Sequence, residues 1–141
     1  MLQRKQSLWM LLAAACAVLT IKLPFYTGPT MDAAQGKVIE NITASSSIPL
    51  LVLTVLLVVV MLVNIFNYKN RKLQLRITIG LILVSLLDIF LFYQASMKPP
   101  ISDGTFALTS VLALAIPLLL IMAARGISKD QKLIKSADRL R

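Results

Sequence analysis

The chain has 141 residues, 57% of them hydrophobic, with a formal net charge of +9, one cysteine and no histidine. The single Cys16 excludes an intramolecular disulfide, and with no histidine it also excludes Cys/His metal sites. The basic excess does not point to nucleic acid, because the lysines and arginines sit beside apolar blocks on alternate loops.

Four apolar blocks are predicted to be helical spans, residues 7–26, 48–67, 77–93 and 106–124. Each is close to the roughly 20 residues needed to cross a hydrocarbon core of about 30 Å. Arg4 and Lys5 precede the first. Lys69, Arg71, Lys72 and Arg76 join the second and third. Arg125, Lys129, Lys132, Lys135, Arg139 and Arg141 follow the fourth. The remaining loops hold only Lys37 and Lys98, so the positive-inside rule puts both termini in the cytoplasm.

The basic start and apolar centre of span one raise a cleavable signal peptide as the alternative, but the apolar run continues past Cys16 to Ile21, which favours a retained span. Trp9 at one end, with Phe25 and Tyr26 at the other, fits aromatic belts. Residues 27–47 then turn polar and are expected to form the one sizeable outer loop, with Val38, Ile39 and Ile42 in a short strand or on the bilayer surface. Asp32 and Glu40 in that loop have no basic or metal-binding company and are expected to be solvated.

Span two is Leu- and Val-rich packing surface with Thr54 as its polar residue before Asn64 and Asn67. The short basic connection 68–76 makes spans two and three a hairpin whose tip meets anionic headgroups. In span three, Thr78, Leu81, Ser85 and Asp88 recur at steps of three and four, which gathers its polar atoms on one side. A carboxylate facing lipid would cost roughly 2.5–3.5 kcal/mol, so Asp88 is expected to face protein, water or a cation. Pro99-Pro100 and Asp103-Gly104 mark a compact outer turn. In span four Pro117 leaves the Ala113 carbonyl without its helical donor and predicts a kink. After Gly126, Ser128 and Gln131 have capping-box spacing, so a new amphipathic helix is expected over 127–141, on the inner leaflet or against a cytoplasmic partner.

Helical rise places Lys22, Thr54, Asp88 and Ser110, with Ser85 nearby, at one depth as an intramembrane polar layer. Asp88 either faces Lys22 across spans three and one, or Lys22 snorkels outward and leaves Asp88 to the hydroxyls. No nucleophile–base set, carboxylate pair or phosphate-cradling glycine loop is visible, so neither catalysis nor a cofactor is expected.

The opening Met1-Leu2-Gln3-Arg4-Lys5-Gln6-Ser7-Leu8-Trp9, the turn Lys69-Asn70-Arg71-Lys72-Leu73-Gln74, and the ending Lys129-Asp130 to Ser136-Ala137-Asp138-Arg139-Leu140-Arg141 resemble, in order and spacing, a whole-chain family. It is an uncharacterised Bacteroidota inner-membrane family known only as a domain of unknown function. Leu2 stands where that family carries isoleucine, and Lys5 where it carries an apolar residue. The resemblance implies four spans in a bacterial inner membrane and supplies no activity or ligand. It also directs attention to the cytoplasmic edge, where Gln3, Arg4, Gln6, Asn70, Arg71, Gln74, Asp138 and Arg139 can form one hydrogen-bonded ring, a cap on the bundle or a docking face.

The expected fold is therefore an all-α membrane protein, an antiparallel four-transmembrane-helix bundle over 1–126 with a C-terminal amphipathic cytoplasmic helix over 127–141. The expected function is a non-catalytic accessory or scaffold subunit of a larger membrane assembly. Its partners would be membrane lipids, anionic headgroups, and other membrane subunits or further copies. The rival is a small oligomeric transporter or channel using Asp88.

Overall fold

The computed structural model describes residues 3–32, 36–68, 70–97 and 104–139. Four helices, α1 (Gln3–Lys22), α2 (Ile48–Phe66), α3 (Arg71–Ser96) and α4 (Ser110–Arg139), carry the chain. Helices α1 and α3 each pack on both α2 and α4, which closes the four into a ring. Three of them, over Ile48–Phe66, Arg71–Ser96 and Ser110–Ile134, are long and apolar enough to cross a membrane. The apolar part of the first, Gln6–Lys22, is shorter.

Each helix turns a seam spaced by threes and fours toward the ring's interior. The buried positions are Gln6, Met10, Ala13, Ala14, Ala17 and Thr20 on α1, and Leu50, Thr54, Leu57, Met61 and Asn64 on α2. On α3 they are Gln74, Thr78, Leu81, Ser85, Asp88, Phe92 and Ser96; on α4, Ala113, Ile116, Pro117, Leu120, Ala123, Ile127 and Asp130. This is the spacing that knobs-into-holes packing requires. Ala13, Ala17, Leu57, Met61, Leu81, Ile116 and Leu120 form the apolar middle, where small residues on α1 let its neighbours approach. The outward positions are Leu, Val, Ile and Phe, as a helix set in hydrocarbon requires.

The all-α expectation needs a correction at the end of the bundle where α1 finishes. Strands β1 (Tyr26–Asp32) and β2 (Gly36–Ile42) form an antiparallel hairpin, and β3 (Thr105–Phe106) adds to β1 in the order β2-β1-β3. The expected span one loses its last residues to this sheet. Pro24 disfavours helical backbone at Leu23, and α1 stops at Lys22. Phe25 and Tyr26, expected in an interfacial belt, are buried instead. Phe25 stacks on Phe92 with ring centroids 4.8 Å apart, and Phe106 sets its edge against both Phe25 and Tyr26. Val38, Ile39 and Ile42 lie in β2; Ile42 is buried, whereas Ile39 and the solvated Glu40 are exposed. Gly104 is needed beside the sheet, because a Cβ there would lie 2.5 Å from the Thr27 carbonyl oxygen.

The fourth span also differs. Phe106 is in β3, and α4 begins only at Ser110, then runs unbroken through Gly126, Ser128 and the buried Pro117 to Arg139. The fresh helix expected at Ser128 is therefore the end of α4. Gly126 does not terminate the helix; it lies against α1, where a Cβ would meet Cγ of Gln6 at 2.8 Å. The turn at Pro99-Pro100 and the residue Lys69 lie outside the described residues.

Candidate functional site

The polar side chains buried between the helices fall into three groups along the bundle. The outermost joins α2 and α3. Thr54 Oγ1 lies 3.2 Å from Asp88 Oδ1 and 2.8 Å from the carbonyl oxygen of Leu50, so one hydroxyl proton is shared between two acceptors. Asp88 is 2% exposed and Thr54 fully buried. Ser85, one turn below on the same face, donates to the Ile82 carbonyl of its own helix. Thr20 of α1, which the sequence reading passed over, is also buried and donates to the Ala17 carbonyl.

Of the expected intramembrane layer the structure thus unites Thr54 and Asp88, with Ser85 beside them. Lys22 is exposed at the end of α1 and is not paired with Asp88. The long lysine stem lets its ammonium reach water, which relieves the cost that pairing was expected to relieve. Ser110 belongs elsewhere. It lines an apolar groove of about 500 Å³ together with Phe25, Leu86, Ile89, Phe90, Tyr93, Phe106 and Leu114, which does not include Asp88 or Thr54.

The second group ties the α2–α3 hairpin together near its tip. Asn64 Nδ2 donates to Thr78 Oγ1 at 2.9 Å and to the Gln74 carbonyl at 3.4 Å, while Gln74 Nε2 donates back to the Asn64 carbonyl at 3.2 Å. Thr78 in turn donates to the Gln74 carbonyl at 2.8 Å. The two amides thus clamp each other's backbone. Asn64 Oδ1 is buried with no hydrogen-bond partner among the described residues.

The third group is centred on Asp130, 5% exposed near the end of α4. Gln6 of α1 donates its amide to Asp130 Oδ2, and Arg71 Nη1 of α3 lies 3.9 Å from the same oxygen. One carboxylate therefore joins three helices. A buried acid of this kind is tolerated when it is paired and hydrogen-bonded.

The expected cytoplasmic ring is partly rearranged by these contacts. Gln6 and Arg71 meet at Asp130, whereas Gln74 belongs to the Asn64 clamp. Asn70 is exposed at the N-cap of α3 and makes no side-chain cap. The side chains of Gln3, Arg4, Asp138 and Arg139 lie outside the described residues. Asp130 and Asn64 were missed as site residues. Both were legible in principle: once α4 is read as one helix, Asp130 falls three residues after Ile127 and seven after Ala123, on the inward seam.

The described residues contain no group of three or more His, Cys, Asp or Glu able to hold a metal ion. What the three groups do is pair buried polar atoms across helices, fixing neighbours in rotation and height. No curated protein and no solved structure matches the chain. Residues 2–140, from the first turn of α1 through the Asp130 node, match the family model described as Domain of unknown function (DUF4293), and the chain belongs to that family.

Proposed function

We propose that this chain is a four-span antiparallel bundle of a bacterial inner membrane, with both termini cytoplasmic, acting without catalysis as an accessory or scaffold subunit of a larger membrane assembly. The observation that carries this reading is the Asp130 node. Its carboxylate is taken by Gln6 and Arg71 from two other helices, so it serves helix-to-helix bonding. The Asn64–Gln74–Thr78 clamp supports the same reading. Such pairing holds a rigid body with an apolar girdle and a basic cytoplasmic end, the form of a part that docks.

Asp88 favours a second reading, a small transporter or channel. It is almost fully buried in the spanning region, with Thr54 as its side-chain donor and no cation paired to it among the described residues. Intramembrane acids of that kind mark ion or proton pathways in other proteins.

Two measurements on the full chain separate these readings. Purification from its native membrane in mild detergent should bring down a stoichiometric membrane partner, and proteoliposomes holding the chain alone should show no specific flux. A specific flux without a partner, abolished by Asp88→Asn, would replace the scaffold reading with the transporter.

A further inference from the structure

Helix α4 outruns the bundle. Among its described side chains the last buried one is Asp130, yet the helix continues to Arg139, about 13 Å further at 1.5 Å per residue. The seam continues with it. Ile127, Asp130 and Ile134 keep the spacing of three and four that buries Ala123, Ile127 and Asp130, but Ile134 is 45% and Leu133 50% exposed. Because α4 runs on as one helix through Gly126, Ile134 continues the face on which Ile127 and Asp130 are buried. It leads on from Asp130, where Gln6 of α1 and Arg71 of α3 meet α4.

The charge around this notch selects its occupant. The first turn of α3 beside Asp130 carries Arg71 and Lys72 and no acid, at the positive end of a 26-residue helix. Lys129 and Lys132 are exposed on α4, and residues 129–141 hold five basic residues against two acids, one of which is already bound by Gln6 and Arg71. A second copy would bring the same positive charge. An acidic helix complements it.

We infer that the cytoplasmic extension of α4, with Leu133 and Ile134 as its apolar contacts, is a docking surface for an acidic amphipathic helix of a partner subunit. This rests on the scaffold reading and supplies the kind of partner. The seam of α4 packs first on its own chain and then, in unbroken register, on the partner.

The test uses the full chain in nanodiscs of phosphatidylcholine, with Cys16→Ala and a fluorophore on Ser136→Cys, an exposed position. Two synthetic heptad peptides serve as probes, both with leucine at the seam, one otherwise glutamate-rich and one lysine-rich. The acidic peptide should bind saturably, and Leu133→Ser or Ile134→Glu should weaken it about tenfold or more. The basic peptide should not bind. Absence of acidic-peptide binding would overturn the proposal, as would equal binding by Ile134→Glu.

Two further outcomes would assign the surface to another occupant. Quenching of the label by nitroxide lipids in phosphatidylglycerol discs would mean that the extension lies on lipid. Disulfide pairing of Ser136→Cys between copies, lost with Ile134→Glu, would mean a second copy. The titration needs no native partner. A failed titration beside a stoichiometric co-purified subunit would remove only this surface, whereas flux without a partner would remove the scaffold reading itself.

Discussion

Gln6 and Asp130 stand 124 residues apart in the chain, and the amide of the first donates directly to the carboxylate of the second. With Arg71 3.9 Å from the same oxygen, this contact holds the ends of α1, α3 and α4 at one level. Most of the testable consequences concern how buried polar groups respond when one partner is removed.

Asp130→Ala leaves the Gln6 amide without its acceptor and Arg71 without its counter-charge. The expected loss is about 1–3 kcal/mol of stability, measured by unfolding in mixed micelles. Asp130→Asn keeps an acceptor for Gln6 and should recover part of the loss. If both variants unfold like the parent, the node contributes nothing.

Gly126→Ala tests the close approach of α1. Alanine should gain roughly 0.5–1 kcal/mol in helix propensity, yet its Cβ would sit 2.8 Å from Gln6 Cγ and push that side chain off Asp130. The net effect should be destabilising in the parent and stabilising once Gln6→Ala has removed the obstacle. Gly80, with nothing within 4 Å of its would-be Cβ, should accept alanine without loss in either background. A double-mutant cycle gives the sign directly.

Thr54→Val removes the hydroxyl next to Asp88 and should cost about 1–3 kcal/mol, because a buried carboxyl loses its side-chain partner. Adding Asp88→Leu should restore most of that loss. Lys22→Met, at an exposed position, should change stability by less than about 0.5 kcal/mol. A large effect of Lys22→Met would revive the ion pair.

The four-span topology is tested at α1, whose apolar part is shorter than the other three helices. Reporters fused to either terminus should both be active on the cytoplasmic side, as the distribution of lysine and arginine requires. Reporters on opposite sides would mean an odd number of crossings.

How much was legible follows from which property each feature depends on. The apolar blocks announce helices because their length and hydropathy are local properties, and α2 falls at Ile48–Phe66 against an expected 48–67. The inward side of α3 was equally legible, since Thr78, Leu81, Ser85 and Asp88 share a face in any helix. The small sheet was legible only at Val38, Ile39 and Ile42, where a short strand was one of two expectations. Thr105–Phe106 joins β1 only because folding brings two loops together that lie nearly 80 residues apart. Ser128 and Gln131 carried a true capping pattern, yet propagation of α4 through Gly126 prevailed, since Ile127 and Asp130 gain burial against the bundle.

By itself, then, the sequence determined where the apolar helical blocks lie and which side of α3 turns inward. Those depend on periodicity and hydropathy, which are written residue by residue. Only the tertiary structure decided the partners: Asp88 with Thr54 rather than Lys22, Asn64 with Gln74 and Thr78, and Gln6 with Asp130. A seam says that a polar group must be satisfied. Which group on which neighbour satisfies it depends on the relative height and rotation of helices far apart in the chain.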